Sequence, residues 1–236
     1  MTSTLLRWGG NLLDLFFPRV CTVCHTPLVE GEDLMCLGCL MKLPRVEFDD
    51  YRDNELADRL ASLRAPIEKA ASLYYHMSGT PHVRLIHDAK YNRRPIIGRK
   101  LARMHAGQLA TAGFFDDIDV LMPVPLHFTK LWMRGYNQSH EIARGLSDVI
   151  GLPIGDNLTA SRPHSTQTRK NASQRRTNSI GTFRVTNPEQ LDSLHILVVD
   201  DVITTGSTIL SALETIHTTV PTARLSVYSL AISKLR

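Results

Sequence analysis

Residues 196–208 read Ile-Leu-Val-Val-Asp-Asp-Val-Ile-Thr-Thr-Gly-Ser-Thr. The first four form an unbroken apolar run, which is typical of a strand that a parallel sheet buries on both faces. Asp200 and Asp201 come next, followed by a hydroxyl-rich loop around one glycine. An amphipathic helix is then indicated by apolar residues at helical spacing, namely Ile209, Leu210, Leu213 and Ile216. The order predicts an α/β fold in which a parallel sheet is flanked by helices.

The loop after the acidic pair has the composition of a phosphate-binding site. Free amides at a helix N-terminus, a glycine that lets the backbone approach, and hydroxyl donors together form a cradle for phosphate. The residues of this cradle are Thr204, Thr205, Gly206, Ser207 and Thr208. Asp200 and Asp201 can accept hydrogen bonds from the two hydroxyls of a ribose, so the stretch predicts a ribose 5-phosphate pocket. The alternative is a buried strand with an ordinary helix cap, because Thr, Ser and Asp are common there.

Length and composition place the chain among globular proteins. Its 236 residues can form one α/β domain plus a small appendage, and 43% of them are hydrophobic. The formal net charge of +4 fits a polyanionic ligand, either a phosphorylated sugar or a nucleic acid. No apolar run approaches the roughly 20 residues that cross a bilayer, so stable membrane insertion is not expected.

The chain is predicted to divide into three parts. Residues 1–43 hold an N-terminal helix and a metal ribbon, residues 44–69 form a linker with a helix, and residues 70–236 form the main domain. The apolar pairs within residues 1–20 recur at helical spacing and are interrupted by Gly9-Gly10, Asn11 and Asp14. They favour a short amphipathic helix over a secretory signal, and a cytoplasmic location is expected.

All four cysteines occur as two C-x2-C pairs, Cys21 with Cys24 and Cys36 with Cys39. This spacing is typical of a zinc ribbon in which four thiolates surround a tetrahedral ion. Two disulfides are the alternative, which the expected reducing compartment disfavours. Four thiolates leave no open position for a substrate, so the zinc is predicted to be structural.

Another polar segment follows a second predicted strand, at residues 119–125. Residues 126–139 are rich in His, Lys, Arg and Asn, and such loops at the carboxyl ends of parallel strands bind ligands. Within this loop Trp132 and Tyr136 are expected to be packing residues. The basic cluster of Lys90, Arg93 and Arg94 is interpreted as the solvated end of a helix.

Residues 163–178 are polar and basic and show no apolar periodicity. A stretch of this length without periodicity is typical of a functional lid or of disorder. The basic side chains also leave a nucleic-acid contact open.

Residues 196–208 closely resemble the phosphoribosyl-pyrophosphate (PRPP) motif of type I phosphoribosyltransferases. The resemblance implies that fold, with Mg²⁺ carried on the pyrophosphate of PRPP. It implies that Asp200 and Asp201 hold the ribose hydroxyls as catalytic residues, and that the Thr/Gly loop binds the 5-phosphate. Residues 126–139 would then be the pyrophosphate loop, with His127, Arg134, Gly135, Asn137 and Gln138 near the pyrophosphate or Mg²⁺. A hood that closes over PRPP would include Gln167, Arg175 and Arg176.

The order of motifs along the chain is similar to that of the ComF family. The cysteine pairs come first, then Lys90-Tyr91, Pro-x-Pro, an Arg-Gly-Tyr-Asn-Gln run and the PRPP loop. That family usually has phenylalanine where this chain has Tyr136. The resemblance implies a phosphoribosyltransferase-like protein that handles incoming single-stranded DNA in natural transformation, with a ComF-type helicase and other DNA-processing proteins as partners.

Three functional classes remain open at this point. The first is a phosphoribosyltransferase with an unidentified acceptor. The second is a PRPP sensor without catalysis. The third is an adaptor that binds single-stranded DNA through the zinc ribbon and the basic loop, for which salt-dependent binding is expected.

Overall fold

The computed structural model describes residues 18–92, 94–161 and 182–234. Its helices are α1 (Leu37–Met41), α2 (Glu55–Ser62), α3 (Val83–Tyr91), α4 (Ile96–Thr111), α5 (Phe128–Arg134), α6 (Gln138–Ile150) and α7 (Ser207–Thr219). Its strands are β1 (Ala70–His76), β2 (Val120–Pro123), β3 (Leu158–Ala160), β4 (Phe183–Val185), β5 (His195–Ile203) and β6 (Arg224–Ser233). The expected hood residues Gln167, Arg175 and Arg176, and residues 1–17 of the expected N-terminal helix, lie outside the described part.

Four strands form a parallel sheet in the order β1–β6–β5–β2. Strand β5 is central and pairs with β6 on one side and with β2 on the other, where Val199 lies opposite Pro123. Strand β2 lies within the strand predicted at residues 119–125 and ends at that proline. The short strands β3 and β4 pair with each other in an antiparallel ribbon outside this sheet.

Helices cover both faces of the sheet, because neighbouring residues of β5 are buried in two separate cores. Leu197 and Val199 belong to a core that includes residues of α3, α4 and α6. Ile196 and Val198 belong to another that includes residues of α2 and α7. The prediction of a parallel sheet flanked by helices is therefore confirmed. The apolar run of β5 is continuous because helices bury the strand on both faces of the sheet.

Helices α4 and α6 approach each other closely at Gly145. An added Cβ at this position would lie 2.2 Å from the carbonyl oxygen of Arg99, which is backbone and cannot move aside. Arg99 also donates two hydrogen bonds to the Asp148 carboxylate, of 2.7 and 2.8 Å. This contact fixes α6, whose first turn lies at the candidate site.

The cysteine module packs directly on the main body. Cys21 and Val23 belong to the same core as α3 and α4. The Arg84 guanidinium donates to the Val23 carbonyl at 2.7 Å, and the His82 ring lies 2.9 Å from the Cys39 carbonyl oxygen. The boundaries predicted at residues 43 and 69 stay predictions, since side chains from both sides of them share one core.

Residues 126–139 differ from the expected continuous loop, because Phe128–Arg134 form the helix α5. The His127 ring accepts a hydrogen bond from the Thr129 amide and caps the helix, and Gly135 ends it with φ of 82°. Histidine is an unusual cap and the turn is short, which explains why the sequence pattern did not indicate a helix here.

A cluster of charged groups lies where the strands begin, at the edge opposite the acidic pair. Asp117 pairs with Lys69 and accepts a 2.7 Å hydrogen bond from Arg224, which also donates to Glu68. The buried His195 ring lies 3.4 Å from Asp117 and 2.7 Å from the Ser226 hydroxyl. Lys69 and Arg224 thus balance the charges of Asp117 and Glu68. These ion pairs connect the starts of the strands with the segments that precede them.

Among the described residues no helix is long and apolar enough to span a membrane.

Candidate ribose-phosphate site

The acidic pair lies within β5 itself. The strand continues through Asp200 and Asp201 to Ile203, whereas the sequence suggested that the pair follows the strand. Asp200 lies opposite Ser229 of β6, and Val202 lies opposite Ala231. Sheet pairing on this side therefore holds both carboxylates in place near the carboxyl end of the parallel sheet, where α/β proteins bind ligands.

Asp200 is almost completely buried. One of its oxygens, Oδ1, accepts a 3.0 Å hydrogen bond from the Ser139 hydroxyl and a 2.8 Å bond from the Asp201 amide. Burial raises the pKa of Asp200 to about 7, and the charge of Asp201 adds to this effect. A carboxyl group with such a pKa changes its protonation state near neutral pH and binds cations or hydroxyl donors in competition with protons.

Asp201 has a cationic partner that the sequence interpretation missed. The Lys90 ammonium, from the last turn of α3, lies 3.0 Å from Asp201 Oδ2. Lys90 is thus part of the site, and its interpretation as a solvated helix end is wrong. The ion pair balances one of two neighbouring carboxylates, whose mutual repulsion would otherwise be uncompensated.

The loop that follows β5 leads directly into α7. Gly206 is the cap residue and has φ of 80°, a conformation that glycine adopts without strain. It has no side chain, so the first-turn amides of α7 receive no side-chain cap from it. Thr204 and Thr205 are exposed, and the Thr205 hydroxyl donates to that of Ser207 at 3.3 Å. The loop therefore leads into a helix N-terminus with free amides, and its binding of a phosphate stays a prediction.

Arg59 of α2 forms hydrogen bonds that connect the loop after β5 to the end of β6. Its guanidinium donates to the Thr204 carbonyl at 3.3 Å and to the Ser233 carbonyl at 2.8 Å. The side chain of Arg59 is buried, and Leu63, just beyond α2, contacts the position where a Cβ on Gly206 would lie, at 3.1 Å. The loop before α7 is therefore supported by a helix that lies outside residues 196–208.

The five residues expected near a pyrophosphate lie around α5 and the start of α6. Asn137 caps α6 by accepting from the Ser139 amide, and its own amide donates to the Val124 carbonyl at 3.0 Å. Gln138 is buried and accepts a 2.9 Å hydrogen bond from Arg134. His127 and Gly135 begin and end α5. Three of the five, His127, Gly135 and Asn137, thus shape the backbone of this segment, and the contact of all five with a pyrophosphate stays a prediction.

The start of α6 is tied to the end of α3 through one carbonyl group. The Tyr136 hydroxyl donates to the Ala89 carbonyl, and the Gln138 amide lies 3.5 Å from the same oxygen. Ala89 precedes Lys90, so this connection positions Lys90 opposite Asp201. The expectation that Tyr136 is a packing residue is therefore incomplete, because its hydroxyl has this specific partner.

Lys130 is a second cation that the sequence interpretation did not place at the site. Burial lowers the pKa of Lys130, and the positive charges of Arg134 and Lys90 lower it further, while Asp201 and Asp200 act in the opposite sense. Lys130 and Arg134 are four residues apart and so lie on one side of α5. The spacing of Lys130 and Arg134 could have indicated that both belong to the site, but only if residues 128–134 had been predicted as a helix.

Trp132, on the same helix, is not a packing residue. Its side chain is 84% exposed, and α5 contains no buried residue. The expectation of a packed tryptophan is therefore wrong. A short helix held at its ends can leave its outer side chains in solvent, and this outcome could not be read from the residue type.

The four cysteine sulfurs lie within 4.8 Å of one another. The Sγ atoms of Cys24 and Cys36 are 3.7 Å apart. Four thiolates around zinc at about 2.3 Å give sulfur–sulfur distances of about 3.8 Å in a tetrahedron. All four cysteines are free thiols, so the structure does not contain the two disulfides that were the alternative. The cluster could hold a zinc ion.

Comparison with known proteins gives a consistent result. No family model matches the chain. The DNA utilization protein YhgH of Salmonella typhimurium (strain LT2) is 28% identical over 206 residues, which is 83% of this chain and 89% of the relative. Competence protein F of Haemophilus influenzae (strain Rd) is 26% identical over 205 residues, which is 82% of this chain and 89% of the relative.

This chain is similar to DNA utilization and competence proteins. The resemblance that the motif order predicts is confirmed by these relatives, and it extends over most of the chain. The DNA utilization protein YhgH of Escherichia coli K12 is 27% identical over a similar range.

Solved phosphoribosyltransferase structures overlap with about half of the chain. The glutamine PRPP amidotransferase from B. subtilis, complexed with ADP and GMP, has a TM-score of 0.37 at 17% identity, covering 55% of this chain. This chain spans a quarter of the length of that enzyme. The purine phosphoribosyltransferase from Pyrococcus horikoshii has a TM-score of 0.29 at 14% identity, covering 57% of this chain and 80% of the enzyme.

Proposed function

We propose that the protein binds a ribose 5-phosphate, PRPP with Mg²⁺ in particular, and acts in the handling of DNA taken up by the cell. The observation that carries the proposal is the placement of Asp200 and Asp201 within β5, directly before a glycine-capped helix N-terminus. Carboxylates suit the ribose hydroxyls and free amides suit the phosphate, and here one strand–loop–helix unit presents both groups.

Each part of the site has a role in this proposal. The loop of Thr204, Thr205, Gly206, Ser207 and Thr208 binds the 5-phosphate, since its hydroxyls and amides are donors. Asp200 and Asp201 orient the sugar through its hydroxyls. Lys90 and Lys130 supply positive charge on the side of α3 and α5, where the pyrophosphate would lie.

The residues present also fit a hydrated Mg²⁺ that arrives on the pyrophosphate. Asp201 offers a carboxylate oxygen beside Lys90, and Mg²⁺ is usually bound by one or two carboxylates together with substrate phosphates. When bound, the ion would neutralise charge on the pyrophosphate.

In an enzyme, these groups would support transfer of the phosphoribosyl unit to an acceptor. The bond from the anomeric carbon to the pyrophosphate oxygen breaks, the acceptor forms the new bond, and pyrophosphate leaves with the electron pair. Lys90 and Lys130 would stabilise the charge that develops on the leaving group. Asp200 and Asp201 would hold the ribose during this step.

The link to DNA rests on the relatives. Proteins named for DNA utilization and for competence share 26–28% identity with this chain over more than four-fifths of its length. We further propose that the cysteine cluster binds a structural zinc ion, which would replace apolar core in a module too small to fold by packing alone.

Calorimetric titration of PRPP with Mg²⁺ tests the proposal. We expect saturable binding to the wild-type protein and at least a tenfold weaker binding to an Asp200→Asn/Asp201→Asn variant. A matched control is Asp33→Asn, which removes an exposed carboxylate that pairs with Lys100 away from the site. Absence of binding to folded, zinc-loaded wild-type protein would reject the ribose-phosphate proposal.

A further inference from the structure

A cavity lies beside β1, the edge strand of the sheet, between this strand, helix α4 and residues 45–51, which we call the bridging segment. Its volume is about 250 Å³, and a cavity of about 150 Å³ already holds a benzene ring. Ser72 lines the cavity from β1, and strand β6 separates it from Asp200, since both residues lie opposite Ser229. The cavity is therefore distinct from the ribose-phosphate site.

The cavity exists because the bridging segment is bonded to β1 only near its two ends. The Val46 amide donates to the Leu73 carbonyl at 3.0 Å, and the Ala70 amide donates to the Tyr51 carbonyl at 2.7 Å. Within the described part of the chain, residues 47–50 form no backbone hydrogen bond with β1. The middle of the segment thus stands away from the strand and leaves the space open.

A buried histidine of α4 presents one free nitrogen to this cavity. His105 is 7% exposed, and its Nδ1 lies 3.2 Å from the hydroxyl of the fully buried Tyr228. Among the described residues that hydroxyl has no other hydrogen-bond partner, so it donates to Nδ1, and Nε2 carries the ring proton. Burial lowers the pKa of His105 to about 4, with the charge of Arg45 adding to the effect. The ring is therefore neutral at pH 7 and offers an N–H donor at Nε2.

Two further donors line the same cavity. Arg45 comes from the bridging segment, and Gln108 lies three residues beyond His105 on α4. The Arg45 guanidinium donates to the side-chain oxygen of Gln108 at 3.3 Å, which leaves the amide nitrogen of Gln108 available as a donor. A guanidinium, an amide and an imidazole N–H are all groups that a carboxylate accepts hydrogen bonds from.

The other walls are largely apolar. Phe48, Tyr51 and Leu73 line the cavity, and the Tyr51 ring packs edge-on against Phe114 with 4.9 Å between the ring centroids. Small-molecule sites typically combine such walls with a few placed polar groups. Glu47 also lines the cavity and is exposed, so its charge would attract an ammonium group and repel a second negative charge.

We propose that this cavity binds a small monocarboxylate with a ring-sized apolar body. Arg45, His105 and Gln108 hold the carboxylate, and the body lies against the apolar walls. Two sources of this chemistry fit, namely a plain ring carboxylate and an amino acid whose ammonium group pairs with Glu47. A phosphate dianion fits less well, because Arg45 is the one cation lining the cavity and Glu47 opposes it. The proposal goes beyond the ribose-phosphate function, since it requires no ligand at the acidic pair.

Saturation-transfer NMR with three probes that share a benzyl group tests the proposal. We expect saturable binding of phenylacetate and of phenylalanine, and none of benzylamine, which has no carboxylate. Tighter binding of phenylalanine would support the amino-acid source and the pairing with Glu47, whereas tighter binding of phenylacetate would support the plain carboxylate. Benzylamine binding as tightly as phenylacetate would overturn the proposal.

Variants of the donors locate the site. We expect Arg45→Gln to weaken phenylacetate binding at least tenfold, the size of one charge-assisted contact. Gln108→Ala, at an exposed position of α4, should weaken it by about threefold, the size of one neutral hydrogen bond. Arg52→Gln is the matched control, because Arg52 is exposed and does not line the cavity. Unchanged melting temperatures would show that the variants are folded.

Two results would contradict this cavity as a carboxylate site. One is the absence of saturable phenylacetate and phenylalanine binding by folded wild-type protein, and the other is equal phenylacetate affinity of the wild type and Arg45→Gln. PRPP titrations of both proteins separate this inference from the proposed function. Retained PRPP binding by Arg45→Gln would place its defect at the cavity, whereas phenylacetate binding by a wild type that does not bind PRPP would reject only the ribose-phosphate proposal.

Discussion

The Lys90 ammonium lies 3.0 Å from the Asp201 carboxylate, joining the end of α3 to the central strand of the sheet. A pocket that holds two adjacent carboxylates needs a nearby positive charge when no ligand is bound. Lys90 provides it, and the bonds from Tyr136 and Gln138 to the Ala89 carbonyl keep it in position.

Lys90→Met is expected to distinguish two ligands. Because a pyrophosphate would lie beside the ammonium, we expect PRPP affinity to fall about tenfold, the size of one charge-assisted contact, while ribose 5-phosphate affinity changes less than about threefold. Calorimetry with both ligands measures the difference. Lys100→Met, which removes a lysine paired with Asp33 away from the site, is the control. Equal losses for both ligands would mean that Lys90 only maintains the fold.

Asp200→Asn is expected to stabilise the unliganded protein above neutral pH. The folded-state pKa of Asp200 is about 7, above the unfolded value of about 3.9, so the folded state holds more protons between these values. The carboxyl group therefore destabilises the fold increasingly as pH rises from about 4 to 7, by up to about 4 kcal/mol. Urea unfolding at pH 5 and pH 8 should show a larger gain for the variant at pH 8. A gain independent of pH would contradict the raised pKa.

Gly206→Ala tests the turn that begins α7. An L-residue at φ of 80° costs about 1–2 kcal/mol, and the new Cβ would also lie 3.1 Å from Leu63 Cδ1. We expect a larger loss of unfolding free energy than for Gly79→Ala, which has φ of 86° and no atom within 4 Å of its Cβ position. Phosphate-ligand binding should fall in Gly206→Ala alone. Identical losses in the two variants would exclude a contribution from the Leu63 contact.

Removal of metal from the cysteine cluster is expected to destabilise the whole protein. Cys21 and Val23 share a core with α3 and α4, so loss of the module uncovers part of that core. We expect one zinc per chain by elemental analysis, and a single melting transition that shifts to lower temperature with chelator and returns with added zinc. Cys24→Ser should lose the zinc and melt at the temperature of the chelated wild type. Zinc-free protein with an unchanged melting temperature would contradict a structural ion.

Much of the site could be predicted from local sequence. Residues 196–208 specify their own structure, because a continuous apolar run favours a doubly buried strand and Gly206 permits the turn into α7. The cysteine spacing likewise predicted a cluster that the structure forms. In both cases the residues that matter are close in the chain.

What the sequence could not determine is which distant side chains complete these local units. Lys90 contacts Asp201, Arg59 contacts the loop after β5, and Lys130 lies within electrostatic range of both carboxylates. These residues come from three helices, and no periodicity relates their positions to β5. Exposure of Trp132 and burial of Asp200 are also properties of the packed chain. Sequence by itself determined the strand, the glycine-containing turn into α7 and the pairing of the cysteines, because these depend on residues that are close in the chain. Only the tertiary structure decided the charges around them, since ion pairing and burial depend on which elements pack together.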